Sequence, residues 1–343
     1  MAYTTINKST DYFNTKLYTG NGSTGHAITG VGFQPDLLWL KPRSTTGYHR
    51  LFDAVRGAGY QLYSNETNGS GLDTNQMSSF NSDGFTLGNE TGSNANGTTF
   101  ASWNWKANGQ GSSNTDGSIN TTYTSVNTTA GFSIIQYTGN GVAGATIGHG
   151  LGAVPKMLIV KQTNSSNNWK VYHVSMGNNN IMNLNDTSAQ TGNTAFWNDT
   201  TPTSTLISLG TNGAINGSGN TYIMYAFTSI TGYSKFGSFS GNNNNDGSFI
   251  YTGFAPSFVM VKRSSDIQGW VMWDNKRPGY NLTNQSLTAN ENSAEETGRT
   301  FDILSNGFKI RDTNTATNAA STYIYMAFGQ TLVGSNNIPC TAR

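Results

Sequence analysis

The 343-residue sequence is poor in charge and has a single cysteine, and both shortages limit its functions. Charged residues make up 11% of the chain, against roughly 25% in an average soluble protein, and the formal net charge is +1. Nucleic acids and anionic membranes are bound through clustered Lys and Arg, which the sequence lacks. The lone Cys340 excludes an intramolecular disulfide, so we expect packing and hydrogen bonding to stabilise the fold.

Long hydrophobic runs are also missing from the sequence. No stretch reaches the ~18 apolar residues that a membrane-spanning helix needs, so we expect no membrane insertion. The opening MAYTTINKSTDYFNTK has no apolar core of the kind found in secretory signals. These two observations predict a protein made in a cytosol and not exported by the usual route.

Motifs that would carry catalysis or bind a metal are lacking too. The 18 acidic residues are scattered, the four histidines have no metal-ligand spacing, and one cysteine cannot complete a thiolate site. The loop 241–248 (GNNNNDGS) has a faint likeness to a calcium loop, but neutral Asn stands where carboxylates are needed, and a turn is favoured. The sequence therefore predicts no enzyme, no cofactor and no metal.

The sequence does contain one segment in three versions. GFQPDLLWLK (32–41), GAVPKMLIVK (152–161) and GFAPSFVMVK (253–262) share a glycine, a proline and a hydrophobic run that ends in lysine. The proline and the final lysine of the three segments recur at the same spacing. The prolines lie 120 and then 101 residues apart and the lysines keep these offsets; they are Pro35, Pro155, Pro256, Lys41, Lys161 and Lys262. Copying a whole domain is a poor route to one catalytic centre, so the repetition favours an architectural or binding protein.

The repetition divides the chain into three units of about 100 residues joined by segments outside the pattern. The units are residues 12–108, 131–230 and 231–331, called here the first, second and third unit. Residues 1–11 are predicted to be an N-terminal arm, residues 109–130 a Gly/Ser/Thr-rich linker, and residues 332–343 a C-terminal tail. A period of this size is that of a domain, so each unit is expected to enclose its own core.

Short runs of β-branched and aromatic residues, bounded by Gly or Pro, predict strands throughout. Asp-Gly in SDGFTLG (82–88) and Asn-Gly in SNGFKIR (305–311) predict hairpins. About seven short strands in each unit favour an all-β fold of three tandem antiparallel β-sandwiches, similar to lectins or jelly rolls.

Asp53 and Arg56 recur at the same spacing as Asp274 and Arg277, and we weigh a ligand-binding pair against a structural ion pair. The structural interpretation is favoured, because a chain this poor in charge keeps a pair mainly where geometry needs it.

The three repeated lysines could bind an acidic partner, but we favour strand ends whose aliphatic stems cover apolar surface. Trp197 lies where the units align poorly, and it is our candidate for an exposed aromatic residue that binds sugar.

The repeated frame resembles a β-domain family found in virion proteins of marine tailed phages that infect cyanobacteria and SAR11-type bacteria. The resemblance covers nearly the whole chain, and the following segments carry it: MAYTTINKSTDYFNTKLYTGNG, QPDLLWLKPR with LFDAVRG, NTTAGFSIIQYTGNG, GHGLGAVPKMLIVK, and FDILSNGFKIR with STYIYMAF. It implies a phage structural protein, of the kind described as a tail-fibre or lectin-like component.

Two functions follow as expectations. In the first, the chain is a virion protein of a tail fibre, appendage or head decoration, present in several copies and assembled through contacts with other virion proteins. In the second, it is a receptor-binding module that recognises a host surface glycan. Low charge suits both, because neutral hydrogen-bonding surfaces depend little on salt.

Overall fold

The computed structural model describes residues 3–334, and these are almost entirely β-structure. Met1, Ala2 and residues 335–343, which include most of the predicted tail and Cys340, lie outside the described part. The all-β class is confirmed: every sheet is antiparallel, and each unit pairs a large sheet with a small one.

The first unit forms a six-stranded and a three-stranded sheet. Its strands are β1 (Phe13–Thr19), β2 (His26–Thr29), β3 (Leu37–Pro42), β4 (Arg50–Asp53), β5 (Tyr60–Tyr63), β6 (Gly71–Leu72), β7 (Met77–Asn81), β8 (Gly84–Leu87) and β9 (Thr99–Trp105). The large sheet has the order β1-β9-β3-β4-β5-β6, and the small sheet has the order β2-β8-β7. A two-residue turn joins β7 to β8, with Asn81 opposite Gly84, as the Asp-Gly signal predicts. A short helix, α1 (Thr91–Asn94), precedes β9.

The second unit repeats this order with one strand added to the large sheet and one strand fewer in the small sheet. Its strands are β10 (Tyr123–Asn127), β11 (Phe132–Thr138), β12 (Ala145–Gly148), β13 (Met157–Gln162), β14 (Lys170–His173), β15 (Asn180–Asn183), β16 (Thr191–Gly192), β17 (Leu206–Leu209) and β18 (Thr221–Phe227). The large sheet has the order β10-β11-β18-β13-β14-β15-β16, and β12 pairs with β17 in the small sheet. Two short helices, α2 (Thr194–Trp197) and α3 (Gly213–Asn216), flank β17.

The third unit follows the same plan. Its strands are β19 (Ser234–Ser240), β20 (Phe249–Tyr251), β21 (Ala255–Arg263), β22 (Trp270–Asp274), β23 (Leu287–Thr288), β24 (Phe301–Leu304), β25 (Gly307–Ile310) and β26 (Thr322–Gln330). The sheets have the orders β19-β26-β21-β22-β23 and β20-β25-β24. The predicted hairpin at residues 305–306 joins β24 to β25.

The central strands β3, β13 and β21 of the large sheets are buried on both faces, which explains their continuous hydrophobic runs. Side chains alternate across a strand. In β3, Leu38 and Leu40 face the small sheet of their own unit, whereas Leu37 and Trp39 face the opposite way. The runs in β13 and β21 divide in the same manner.

The second face of the three large sheets packs into one common core, and this corrects the expectation that each unit encloses its core alone. Phe13, Trp105, Phe227, Phe258 and Phe328 meet there with ring centroids mostly 5–6 Å apart, for example 5.8 Å between Trp105 and Phe258. Each unit thus has a private core between its two sheets and shares a central core with the other two.

Two boundary predictions are also corrected. Residues 109–130 do not form a free linker, because their last part is β10, which adds an edge strand to the second unit's large sheet. The sequence pattern does not reveal this strand, because it lies in a stretch rich in Ser and Thr. Thr124 and Ser125 are nevertheless buried. The N-terminal arm is docked rather than extended: Ile6 lies in the central core, and Ser9, in a 3₁₀ turn, donates its backbone N–H to Gln330.

Candidate functional site at the joints between units

Units meet at three joints, and the repeated lysines lie at all of them. Side chains alternate between the two faces of β3, β13 and β21. The lysines lie on the face that is turned toward a neighbouring unit; they are Lys41, Lys161 and Lys262. Each Nζ donates to a backbone carbonyl oxygen of that unit. The acceptors are, in the same order, Asn292 at 3.4 Å, Thr67 at 2.9 Å and Thr187 at 3.3 Å.

The direction of these contacts is cyclic. The first unit donates to the third, the second to the first, and the third to the second. Backbone bonds at each joint run in both directions; Asn167 N to Thr67 O and Ser70 N to Thr163 O, for example, join the first two units. Head-to-tail contacts that close after three copies form a ring, here within a single chain.

Burial sets the charge state of the three ammonium groups. Loss of water lowers the pKa of Lys41 to about 7, and lowers those of Lys161 and Lys262 to about 8. No lysine side chain among the three reaches solvent, so none is available to a partner on the surface. Our interpretation of these residues as strand ends is therefore incomplete, because their ammonium groups bond across the joints.

The two repeated aspartate–arginine pairs form buried ion pairs. Arg56 Nε lies 2.6 Å from Asp53 Oδ2, and Arg277 Nε lies 2.7 Å from Asp274 Oδ2. The same carboxylates accept the backbone N–H of the arginine three residues later, which fixes the turn after β4 and after β22. The geometry agrees with the structural interpretation that the sequence favoured.

Each carboxylate also accepts a hydrogen bond from the next unit. Tyr225 of the second unit donates its hydroxyl to Asp53 at 2.8 Å, and Trp103 of the first unit donates its indole N–H to Asp274 at 3.0 Å. Trp103 and Tyr225 occupy equivalent positions of β9 and β18, two residues before Trp105 and Phe227. The ion pairs therefore connect neighbouring units as well as fixing their own turns.

The second–third joint has a different chemistry at the same position. The third unit presents Met326, which has no donor for a carboxylate, and the second unit has His173 in place of the aspartate. His173 Nε2 donates to the backbone oxygen of Tyr325 at 3.1 Å, and its Nδ1 accepts the N–H of Ser175. Burial lowers the pKa of His173 to about 4, so this imidazole is neutral and needs no counter-ion.

A further repeated layer of contacts was missed by sequence reasoning. Trp169 Nε1 donates to Tyr63 O and Trp270 Nε1 donates to Asn183 O, each at 2.8 Å, and both bonds cross a joint. At the third joint, His49 takes the equivalent place and bonds Thr288 O at 3.1 Å. Recurrence of the two tryptophans was visible in the sequence, but their partners belong to other units.

The three repeated prolines are buried at or just before the start of a central strand. Pro35 and Pro155 precede β3 and β13, and Pro256 lies in β21 beside a β-bulge. Strand starts and bulges are the positions at which a missing N–H does least harm to a sheet. These residues shape the fold and contact no candidate ligand site.

Trp197 is not the exposed aromatic residue that we expected. It ends helix α2 with 1% of its surface exposed and packs edge-on against Tyr172 at 5.7 Å, inside the second unit's private core. The first unit places Met77 at this point. The units align poorly here because the second unit replaces strand β7 with a helix, and the larger ring fills the space.

One open cleft interrupts the first–second joint. It has a volume of ≈ 390 Å³, and its walls come from the first unit, the second unit and the segment between them. The lining residues are Val55, Arg56, Tyr60, Ser70, Gln110, Tyr123, Gln136, Thr163, Asn164 and Thr221. Two tyrosine rings, three neutral amides and three Ser or Thr hydroxyl groups make up most of this surface.

A family profile described as a domain of unknown function (DUF7483) matches residues 8–331. The chain belongs to this family. The match spans all three units and the N-terminal turn, so the family domain corresponds to the whole ring. Neither the curated proteins nor the solved structures gave a match.

Two further findings concern residues 3–334. They contain no cluster of three or more His, Cys, Asp or Glu side chains that could hold a metal ion. Within the same residues, no helix has the length and apolar character needed to cross a bilayer.

Proposed function

We propose that this chain is a structural protein of a bacteriophage virion, located in a tail fibre, an appendage or a head decoration. The observation that best supports the proposal is the closed ring of three units. Its repeated lysines, aspartates and arginines are buried at the joints, where they hold the units together. A rigid block with a largely neutral exterior suits assembly through contacts with other virion proteins or with further copies of itself.

Analysis of purified particles tests this proposal. Phage that encode the chain are banded on a density gradient, and the particles are analysed by quantitative mass spectrometry and by immunogold labelling against the chain. We expect a fixed copy number per particle and labelling at one place on the virion. Recovery of the chain only from the soluble fraction of infected cells, with none in banded particles, contradicts the proposal.

The second candidate function is recognition of a host surface glycan. The cleft at the first–second joint favours it, since tyrosine rings and neutral amides are groups that bind sugars. Purified protein should then adsorb to host cells in a saturable manner and reduce infection when added before the phage. Absence of adsorption at concentrations far above those of the phage contradicts this function.

A further inference from the structure

We propose that the cleft between the first and second units binds an uncharged saccharide. Tyr60 and Tyr123 would pack against the sugar rings, and the amides of Gln110 and Gln136 would bind their hydroxyl groups. This inference rests on the second candidate function and gives it a site. Four observations on the cleft carry it: size, charge, free polar groups and asymmetry among the joints.

The size suits a short oligosaccharide. Ligand sites in proteins commonly occupy about 300–1,000 Å³ and combine apolar surface with a few directed polar groups. The cleft, at ≈ 390 Å³, lies within this range. Tyr123 and Gln136 are direct cross-strand partners in β10 and β11, so their side chains lie on one face of the sheet.

The charge of the lining is balanced internally. Arg56 is the one ionisable cation or anion among the lining residues, and Asp53 neutralises it at 2.6 Å. Of the other four N–H groups of its guanidinium, two are directed at protein oxygens: Nη1 bonds Ser70 Oγ and Nη2 bonds Leu51 O. A ligand with a sulfate or carboxylate would find no free positive charge here, which favours an uncharged one.

Free hydrogen-bonding groups line the cleft. Within residues 3–334, the side-chain amides of Gln110 and Gln136 and the hydroxyls of Tyr60 and Tyr123 make no hydrogen bond to protein. An amide offers two donors and one acceptor oxygen, and a phenol offers both roles, so the set can bond sugar hydroxyls in either direction. Tyr60 is 40% exposed, which leaves its ring available for contact.

The three joints differ at the positions that line the cleft, so the cleft is distinct from the contacts that hold the units together. At the second–third joint, the residues equivalent to Tyr60 and Gln136 are Asn180 and Ser238, and nothing corresponds to residues 109–130. At the third–first joint, an ion pair between Arg43 and Glu295 occupies the equivalent place. Both other joints close without tyrosines at these positions, so these rings are not needed to hold units together.

Oligosaccharide binding by single variants tests the site. The full chain is screened by saturation-transfer NMR and on an array of neutral oligosaccharides built from glucose, galactose, mannose and rhamnose, with sulfated and sialylated sugars as a second panel. We expect binding in the neutral panel. For the best binder, Tyr60→Ala and Gln136→Ala should each lower affinity about tenfold or more, a loss of ~1.4 kcal/mol.

Tyr280→Ala is the matched control, because Tyr280 is 77% exposed and lies outside the cleft. Its affinity should equal that of the parent chain. Since Tyr123 also packs against the central core, Tyr123→Phe is used for that residue, and all variants are compared by circular dichroism and thermal melting.

Three outcomes overturn the inference: no neutral sugar binds at millimolar concentration, only charged sugars bind, or binding survives both Tyr60→Ala and Gln136→Ala. Cell adsorption is measured with the same variants to separate the two claims. Adsorption that Tyr60→Ala leaves intact removes the cleft but keeps the glycan-recognition function. Oligosaccharide binding at the cleft without any adsorption keeps the site and removes that function.

Discussion

The first–second and second–third joints share their backbone contacts and differ in the side chains at their centres. The first–second joint places a tyrosine hydroxyl against a buried carboxylate, with Tyr225 on Asp53. The second–third joint places Met326 near a neutral His173. A buried carboxylate without donors is costly, whereas a neutral imidazole can satisfy itself on backbone groups. Residues on the two sides of a joint therefore differ together, although they are distant in the sequence.

The third–first joint extends this comparison. It has the carboxylate chemistry of the first–second joint, with a tryptophan as the donor, and adds a second ion pair in which Glu295 contacts both Arg43 and Arg277.

Arg277→Met should produce the largest loss, about 3–5 kcal/mol of unfolding free energy, because it leaves the buried Asp274 without its cation. The change is measured by urea unfolding at neutral pH. The double variant Asp274→His/Arg277→Met installs the residues that the second unit has at these positions and removes the buried charge. It should lose less than the single variant, and equal midpoints for parent and Arg277→Met contradict the role of the ion pair.

Alkaline pH should stabilise the ring. Burial lowers the pKa of Lys41 to about 7 and those of Lys161 and Lys262 to about 8. The unfolded chain keeps these protons up to about pH 10.4, so between about pH 8 and 10 it binds more protons than the folded chain and stability rises with pH.

Each lysine contributes about 2–3 kcal/mol of stability between about pH 7 and 9.5, so urea titrations should show a total gain of several kcal/mol. It should shrink in Lys41→Met, which cannot titrate. A stability that stays flat or falls across this window would mean that the lysines remain charged in the folded ring.

Tyr225→Phe should cost about 1.5 kcal/mol, since it removes one hydrogen bond to a charged acceptor at the first–second joint and leaves the ring in place. Unfolding by urea gives the value, and Tyr280→Phe, on an exposed tyrosine, is the control. If the aspartate is held by Arg56 alone, the two variants will have the same midpoint.

Ser64→Ala should have the smallest effect, about 1 kcal/mol. Ser64 Oγ donates to Ala289 O at 2.6 Å across the third–first joint, and the second unit has an apolar Leu184 at the equivalent position. The third–first joint alone should loosen, which native-state hydrogen exchange near Ala289 can detect. Uniformly faster exchange at all three joints would argue against a local contribution.

Much of the fold could be predicted from local patterns. The all-β class depends on short runs of neighbouring residues, and the two hairpins depend on turn residues, so both could be predicted. The prediction that Trp197 is exposed was wrong, because the exposure of a residue depends on what covers it. The helix that replaces β7 in the second unit was not visible in the alignment of the units. The cleft could not be predicted for a related reason. Gln110 and Tyr123 lie in a segment that was interpreted as a linker, and their neighbours in the cleft come from two units.

The amino-acid sequence by itself determined that the chain is all-β and carries one segment in three versions, each ending in a lysine and two of them followed by an Asp–Arg pair. Periodicity of two decides which residues share a face, and a continuous apolar run shows that both faces are buried. Only the tertiary structure decided what buries the second face. Contacts between residues more than a hundred positions apart have no signature in local pattern, so the ring, its central core and the cleft at one joint appear only once the chain is folded.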